Sequence, residues 1–319
     1  MNSENEWRKL QRILPRCFIL ALCFLIDGRN LEATIIPPDI KNTVCFIFIA
    51  NAKGEKVPNG TGFLVGVKAE KEPERTFGYL VTAKHVLKDE NGNLYSSVFI
   101  RLNKKDNTAE LIELKLAGQK ICTHSDDTVD IAVIPAWPDE ARYDFKVIPS
   151  ELLMTKEIFD KEKITEGDEV FFVGLFTNYF GEQKNVPVTR FGRVAMITDE
   201  KINWDGKMTD LYLLETQSFG GNSGAPVFFY LNQTRQPGLL ILGASKIFLA
   251  GVMQGTFLDA EKVRFVQTQN VPISVQNAGI AAVVPAYKLR EILFGDELTE
   301  MRRKAEARTG ENITVSPKV

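Results

Sequence analysis

A chain of 319 residues, 44% hydrophobic and 25% charged, is long enough to bury one large core or two small ones. Its formal net charge of −2 gives no electrostatic footprint for nucleic acid, so no nucleic-acid partner is expected. Two histidines and scattered cysteines offer no metal-ligand spacing, so neither metal nor other cofactor is expected.

In chain order, Arg8, Lys9, Arg12 and Arg16 precede an apolar run from Cys17 to Ile26. A basic start followed by a short apolar run has the form of a secretory signal peptide, residues 1–33, with cleavage after Gly28 or Ala33. The run falls short of the roughly 20 apolar residues that span a bilayer. Leu22 stands where a lipoprotein signal has a small residue before Cys23, so no stable membrane anchor is expected. The expected location is therefore periplasmic or extracellular. Removing the leader leaves Cys45 and Cys122. Both lie in or beside strand-like runs, where a buried cysteine behaves as a small hydrophobe, and they are expected to be unpaired.

Residues 38–140 read as a first β unit. Its strands are Val44–Ile49, Gly62–Val67, Gly78–Ala83, Ser97–Leu102, Leu111–Leu116 and Val129–Ile134, short runs bounded by Gly, Asn, Asp and Lys clusters. Residues 141–166 are charged, with a helix-like stretch around 150–160, and read as an interdomain connection. Residues 167–295 carry a second β set: Glu169–Val173, Gly192–Ile197, Leu211–Glu215, Ala225–Tyr230, Leu239–Leu242, Ala250–Gln254 and Gly279–Val284. An amphipathic helix, Ala286–Phe294, closes that unit, and residues 296–319 read as a loose charged tail.

The segment Gly220-Gly221-Asn222-Ser223-Gly224-Ala225-Pro226 places a serine on a glycine-rich turn between two apolar runs. A serine hydroxyl becomes a nucleophile only when a neighbouring base takes its proton. It also needs backbone N–H donors for the oxygen that becomes negative, and glycines permit the close approach this requires. Of the two histidines, His85 ends a strand-like run, whereas His124 lies in a polar segment and reads as a solvent-exposed rival. Asp130 opens a buried-strand pattern; Asp126 and Asp127, in the polar loop before it, are rival acids. No histidine follows Ser223, which excludes the α/β-hydrolase order, and the order His85, Asp130, Ser223 differs from that of subtilisin.

Three blocks, Thr82-Ala83-Lys84-His85-Val86, Asp130-Ile131-Ala132-Val133 and Gly221-Asn222-Ser223-Gly224-Ala225-Pro226, resemble the active-site blocks of trypsin-like serine peptidases. The similarity is greatest to the HtrA/Deg-type branch, which Gly279-Ile280-Ala281-Ala282-Val283-Val284-Pro285 also resembles. The resemblance implies an all-β, chymotrypsin-like fold of two six-stranded antiparallel β-barrels with a C-terminal helix. It implies a serine endopeptidase of polypeptide substrates, acting in protein quality control or processing. Ser223 is then the nucleophile, His85 the base and Asp130 its partner, with the N–H groups of Gly221 and Ser223 as the oxyanion hole. Family position puts Gln217 at the base of the substrate pocket and Met253, Gln254 and Gly255 along its wall. A neutral base implies small to medium apolar side chains before the cut rather than Lys or Arg. Asn222 replaces the aspartate of digestive enzymes, so no charge-paired zymogen activation is implied. Residues 256–277 read as a lid or specificity loop. Too few residues follow Pro285 for an independent domain, usually about 50 or more, so no PDZ domain is expected. Two other functions fit the same residues: a catalytically silent binding module, and a peptidase that processes only itself.

Overall fold

The structure, a computed structural model, describes residues 36–72, 74–232, 245–262 and 273–308. The chain divides into Met1–Pro37 and Pro38–Val319, and the fold described is that of the second unit. The expected leader and the expected strand Leu239–Leu242 lie outside the described residues.

The first sheet contains β1 (Val44–Ala50), β2 (Lys56–Lys68), β3 (Thr76–Thr82), β4 (Ser97–Asn103), β5 (Ala109–Lys115), β6 (Cys122–Thr123), β7 (Ala132–Pro135) and β8 (Ile148–Pro149). Its order is β5-β4-β1-β2-β3-β7-β6, and β8 pairs in parallel with β2. Alternation drives each strand onto one core: Cys45 and Ile47, Leu64, Leu80, Val98 and Ile100 all bury there. The hydrogen-bonded path of this sheet ends at β5 and β6 and does not close on itself. Cys45 and Cys122 are buried and free, and burial pushes the Cys45 thiol up to about 12.

The second set is a closed six-stranded barrel. It is built from β9 (Glu169–Gly174), β10 (Val188–Met196), β13 (Tyr212–Glu215), β14 (Pro226–Leu231), β15 (Lys246–Lys262) and β16 (Ile273–Pro285). A separate hairpin, β11 (Ile202–Trp204) with β12 (Lys207–Thr209), stands between β10 and β13. Phe171, Phe172, Phe228 and Phe229 are fully buried in the barrel. Helix α1 (Lys156–Glu162) lies in the connection, where the Thr155 hydroxyl accepts from the Ile158 N–H at 3.2 Å to cap it. The all-β class with a helix after the last barrel strand is the one the sequence indicates.

Two expectations change. The described part of 256–277 is not a loop: β15 and β16 stay paired out to Lys262 and Ile273, past two bulges. Nor are residues 296–308 loose. After α2 (Ala286–Leu293), a second C-terminal helix, α3 (Asp296–Arg308), packs on the first sheet. Its buried stripe is Leu298, Arg302 and Glu306, spaced four apart. Two of those three are charged, so hydropathy alone hides the stripe. Arg302 donates to the Tyr79 hydroxyl at 2.9 Å and to the Leu293 carbonyl at 2.8 Å. Glu306 accepts from the Glu70 N–H at 3.0 Å.

Arg302→Met therefore strips a charged donor from two buried acceptors and should cost about 2 kcal/mol of stability. Urea denaturation measures it; an unchanged midpoint would show that α3 adds nothing to the fold.

Candidate active site

His85 sits in a 3-10 turn, Lys84–Leu87, directly after β3. Val86 and Leu87 are buried and anchor the turn, which leaves His85 on its open side. Asp130 precedes the buried run Ile131 to Ile134. The His85 Nδ1 lies 2.6 Å from Asp130 Oδ2, and the His85 backbone N–H donates to Asp130 Oδ1 at 3.1 Å. An ionised carboxylate can only accept, so this partner assigns the ring proton to Nδ1 and leaves Nε2 as the free base.

Burial is the largest single influence on His85 and disfavours its charge. The hydrogen bond and the negative charge of Asp130 together outweigh it, so the imidazole pKa is raised above 6.5. For Asp130, burial opposes ionisation, and the bonds and charge of His85 overcome it, so its pKa is lowered. The signs follow by linkage. The His85 contribution to stability is complete below about pH 6.5 and fades as pH rises through its raised value. The Asp130 contribution is present above the ordinary carboxylate range and fades as pH falls through its depressed value.

Ser223 lies on the turn joining β13 to β14, in the barrel. Gly221 and Gly224 hold φ of 92° and 82°, a region open to glycine and costly for other residues. A Cβ on Gly224 would meet the Thr61 carbonyl oxygen at 2.2 Å, so this glycine also admits the first sheet. Asn222 is buried and fully engaged. Its amide donates to the Leu175 carbonyl at 2.7 Å and its Oδ1 accepts from the Phe219 N–H at 2.9 Å. The Ser223 hydroxyl donates to the Gln254 carbonyl at 3.2 Å. No hydrogen bond joins it to His85 among the described residues. His85, Asp130 and Ser223 nonetheless line one cleft, together with Lys84, Trp204 and Gln254. Among the described residues no three metal-ligating side chains cluster.

His124 and Asp126 are engaged elsewhere, whereas Asp127 lines the cleft without a bond to either histidine among the described residues. His124, expected at the surface, has a side chain only 10% exposed. Its Nδ1 accepts from the Asp126 N–H at 2.9 Å and its Nε2 meets Glu291 Oε2 of α2 at 2.6 Å, so it ties the first sheet to a C-terminal helix. Asp126 Oδ1 accepts from Thr128 and Oδ2 from Lys201, which hold its carboxyl well below the usual range. Asp127 is exposed, and its carbonyl accepts from Lys84 Nζ at 2.7 Å.

The four residues expected to shape the pocket divide. Gln254 and Gly255 line the cleft. Gln217 does not: Thr216 and Ser218 turn inward, so alternation sends Gln217 out to solvent. Met253 is fully buried, its backbone paired with Gly224 and Ala225, and its side chain belongs to the core. An argument for substrate preference from a neutral base therefore no longer stands on Gln217. Trp204 is the cleft residue that the sequence hides. Its hairpin is a few residues long, and its ring sits 3.0 Å from where a Cβ on Gly255 would be.

A family model described as trypsin-like peptidase domain matches residues 60–233, more than half of the chain. The chain belongs to that family. The match takes in His85, Asp130 and Ser223. No curated protein matches the chain. Among solved structures it is similar to the apo protease domain of MamO from Magnetospirillum magneticum. That match has 13% identity and a TM-score of 0.46, over 80% of this chain and 97% of that one. It is also similar to the Drosophila Grass clip serine protease of the Toll pathway. Here identity is 12% and the TM-score 0.40, over 86% of this chain and 71% of that one.

With only two histidines, the titration of His85 is directly readable by NMR, His124→Gln providing the assignment. Its pKa should lie above 6.5, and Asp130→Asn should lower it because burial is then unopposed. A His85 titration unmoved by Asp130→Asn would break the pairing.

Proposed function

We propose that the chain is a serine endopeptidase. The observation that carries this reading is the His85–Asp130 pair at 2.6 Å, facing the cleft that also holds Ser223. In the proposed reaction His85 Nε2 takes the Ser223 proton as Oγ bonds to a peptide carbonyl carbon. The oxygen that becomes negative is held by the N–H groups of Gly221 and Ser223, neither of which has an acceptor among the described residues. Collapse breaks the C–N bond, and His85 passes its proton to the leaving amine. Water then attacks the acyl-enzyme by the same route and frees the acid. Asp130 keeps the ring in the tautomer with Nε2 free and stabilises the imidazolium.

The resting Ser223 hydroxyl points to Gln254. Transfer of its proton to His85 needs the hydroxyl to leave Gln254, and catalytic hydrogen bonds commonly tighten only with substrate bound. We assign polypeptides as substrates and, on the basic start with its apolar run, export as the setting, with quality control or processing as the task. Asn222 in place of an aspartate supports an HtrA/Deg-type relationship.

The Ser223–Gln254 bond also favours a second reading, a silent binding module on the same fold. A fluorophosphonate probe separates the two: covalent labelling at Ser223 in the wild type and none in Ser223→Ala supports the peptidase. Masses of the purified wild type and Ser223→Ala then show whether the only cut is in the chain itself.

Ser223→Ala, His85→Ala and Asp130→Asn should each lower kcat/KM on a cleaved peptide by about 10⁴-fold, and the losses should not add. Wild-type kinetics in any one of them would remove that residue from the reaction.

A further inference from the structure

The geometry points to Thr61 as the residue that locks the serine turn in the form whose Gly221 and Ser223 N–H groups stay free. This inference rests on the endopeptidase reading for its kinetic consequence, though not for the lock itself. Thr61 is on β2 of the first sheet, with no exposed surface, and is far from Ser223 in sequence.

Each polar group of Thr61 has a partner at the seam. Its N–H donates to the Ser223 carbonyl at 2.9 Å. Its hydroxyl donates to the Gly221 carbonyl at 2.7 Å and accepts from the Leu175 N–H at 2.9 Å. Its carbonyl accepts from the Thr82 hydroxyl at 2.7 Å, three residues before His85. A hydroxyl has one proton, so the Leu175 N–H forces that proton towards Gly221.

The effect on the turn is selective. The peptide joining Gly221 to Asn222 is held at both ends, its carbonyl by Thr61 and its N–H by the Phe219 carbonyl at 3.0 Å. The Asn222 carbonyl accepts from the Ala225 N–H at 3.0 Å. The Ser223 carbonyl is held by Thr61, and the Gly224 N–H donates to the Met253 carbonyl at 2.8 Å. From Gly221 to Gly224, the N–H groups left without an acceptor among the described residues are those of Gly221 and Ser223. Gly221 has no Cβ to restrain it. Without the Thr61 hydroxyl, its buried carbonyl would have to find another donor by rotating the peptide. Thr61 is thus a positioning residue, acting through Gly221 and Ser223.

The test compares the wild type with Thr61→Val, which keeps the β-branched shape and loses the hydroxyl, and Thr61→Ser, which restores it. Thr61→Val should lower kcat on a cleaved peptide about 10- to 100-fold with KM within about threefold. Affinity for a peptide boronate should fall by a similar factor, and the His85 titration should not move. Thr61→Ser should recover kcat to within about threefold. The Gly221 amide resonance should shift in Thr61→Val and return in Thr61→Ser. In the wild type, hydrogen exchange should find the Leu175 and Asn222 amides protected about 100-fold more than those of Gly221 and Ser223. That measurement needs no variant to fold. Equal protection of the four amides, an unmoved Gly221 resonance, or a kcat loss shared equally by Thr61→Ser would overturn the proposal. If the wild type is not labelled at Ser223 by a fluorophosphonate, the endopeptidase reading fails, and the amide measurements still decide whether Thr61 holds the turn.

Discussion

The whole arrangement depends on a buried hydrogen-bonded seam between β2 and the serine turn. His85 and Asp130 belong to the first sheet and Ser223 to the barrel, so nothing local in sequence sets their separation. The seam sets it instead. Thr61 bonds to Gly221 and Ser223 on one side and to Thr82 on the other. Gly224 lets the two backbones meet, since any side chain there would strike the Thr61 carbonyl. A displacement of about 1 Å between reacting groups can cost on the order of 100-fold in rate. Burying this much backbone polarity is tolerable because every polar group of Thr61 and the carbonyls of Gly221, Asn222 and Ser223 have partners, and that same requirement makes the seam stiff.

The two halves of the site are held with different strength. The His85–Asp130 contact is short, charge-assisted and doubled by the His85 backbone N–H, so the ring has one orientation. The Ser223 hydroxyl has a single, longer bond to a carbonyl and can leave it by rotating about one torsion. In the proposed reaction this arrangement keeps the base fixed and the nucleophile adjustable. Gln254 adds to the adjustability: its own side-chain carbonyl is buried without a donor among the described residues, beside the cleft it lines.

Much of this was legible in the chain. Short apolar runs between polar turn clusters located β1, β2, β3 and β7, which bury both faces, and alternation located β4 and β5. Three short blocks marked His85, Asp130 and Ser223, because unusual chemistry needs unusual residues at a turn or a strand end. The misses have physical causes as well. β6 and the β11–β12 hairpin are too short to show a period, and Trp204 arrives on one of them. Helix α3 buries Arg302 and Glu306, charges that hydropathy counts as exposed. His124 reads as a surface histidine because its partner Glu291 is far along the chain. Thr61 is one threonine in a strand, and its importance comes entirely from what the fold sets against it. Gln217, placed at the pocket base by family position, is exposed, and neither period nor composition reveals that orientation.

The chemistry of the turn limits where pH can act. Asn222, Thr61, Phe219, Leu175 and Ala225 hold it with amides, a hydroxyl and backbone groups, none of which titrates in water's accessible range. A carboxylate at position 222 would need a buried cation to compensate it, and removing or protonating either partner would loosen the turn. The neutral amide accepts from the Phe219 N–H and donates to the Leu175 carbonyl, which a carboxylate could not do, and it needs no counter-ion. The hydrogen bonds described for the turn therefore do not depend on ionisation. The paired titrating groups His85 and Asp130 stand on the opposite sheet, across the seam from a turn that has no charge to change.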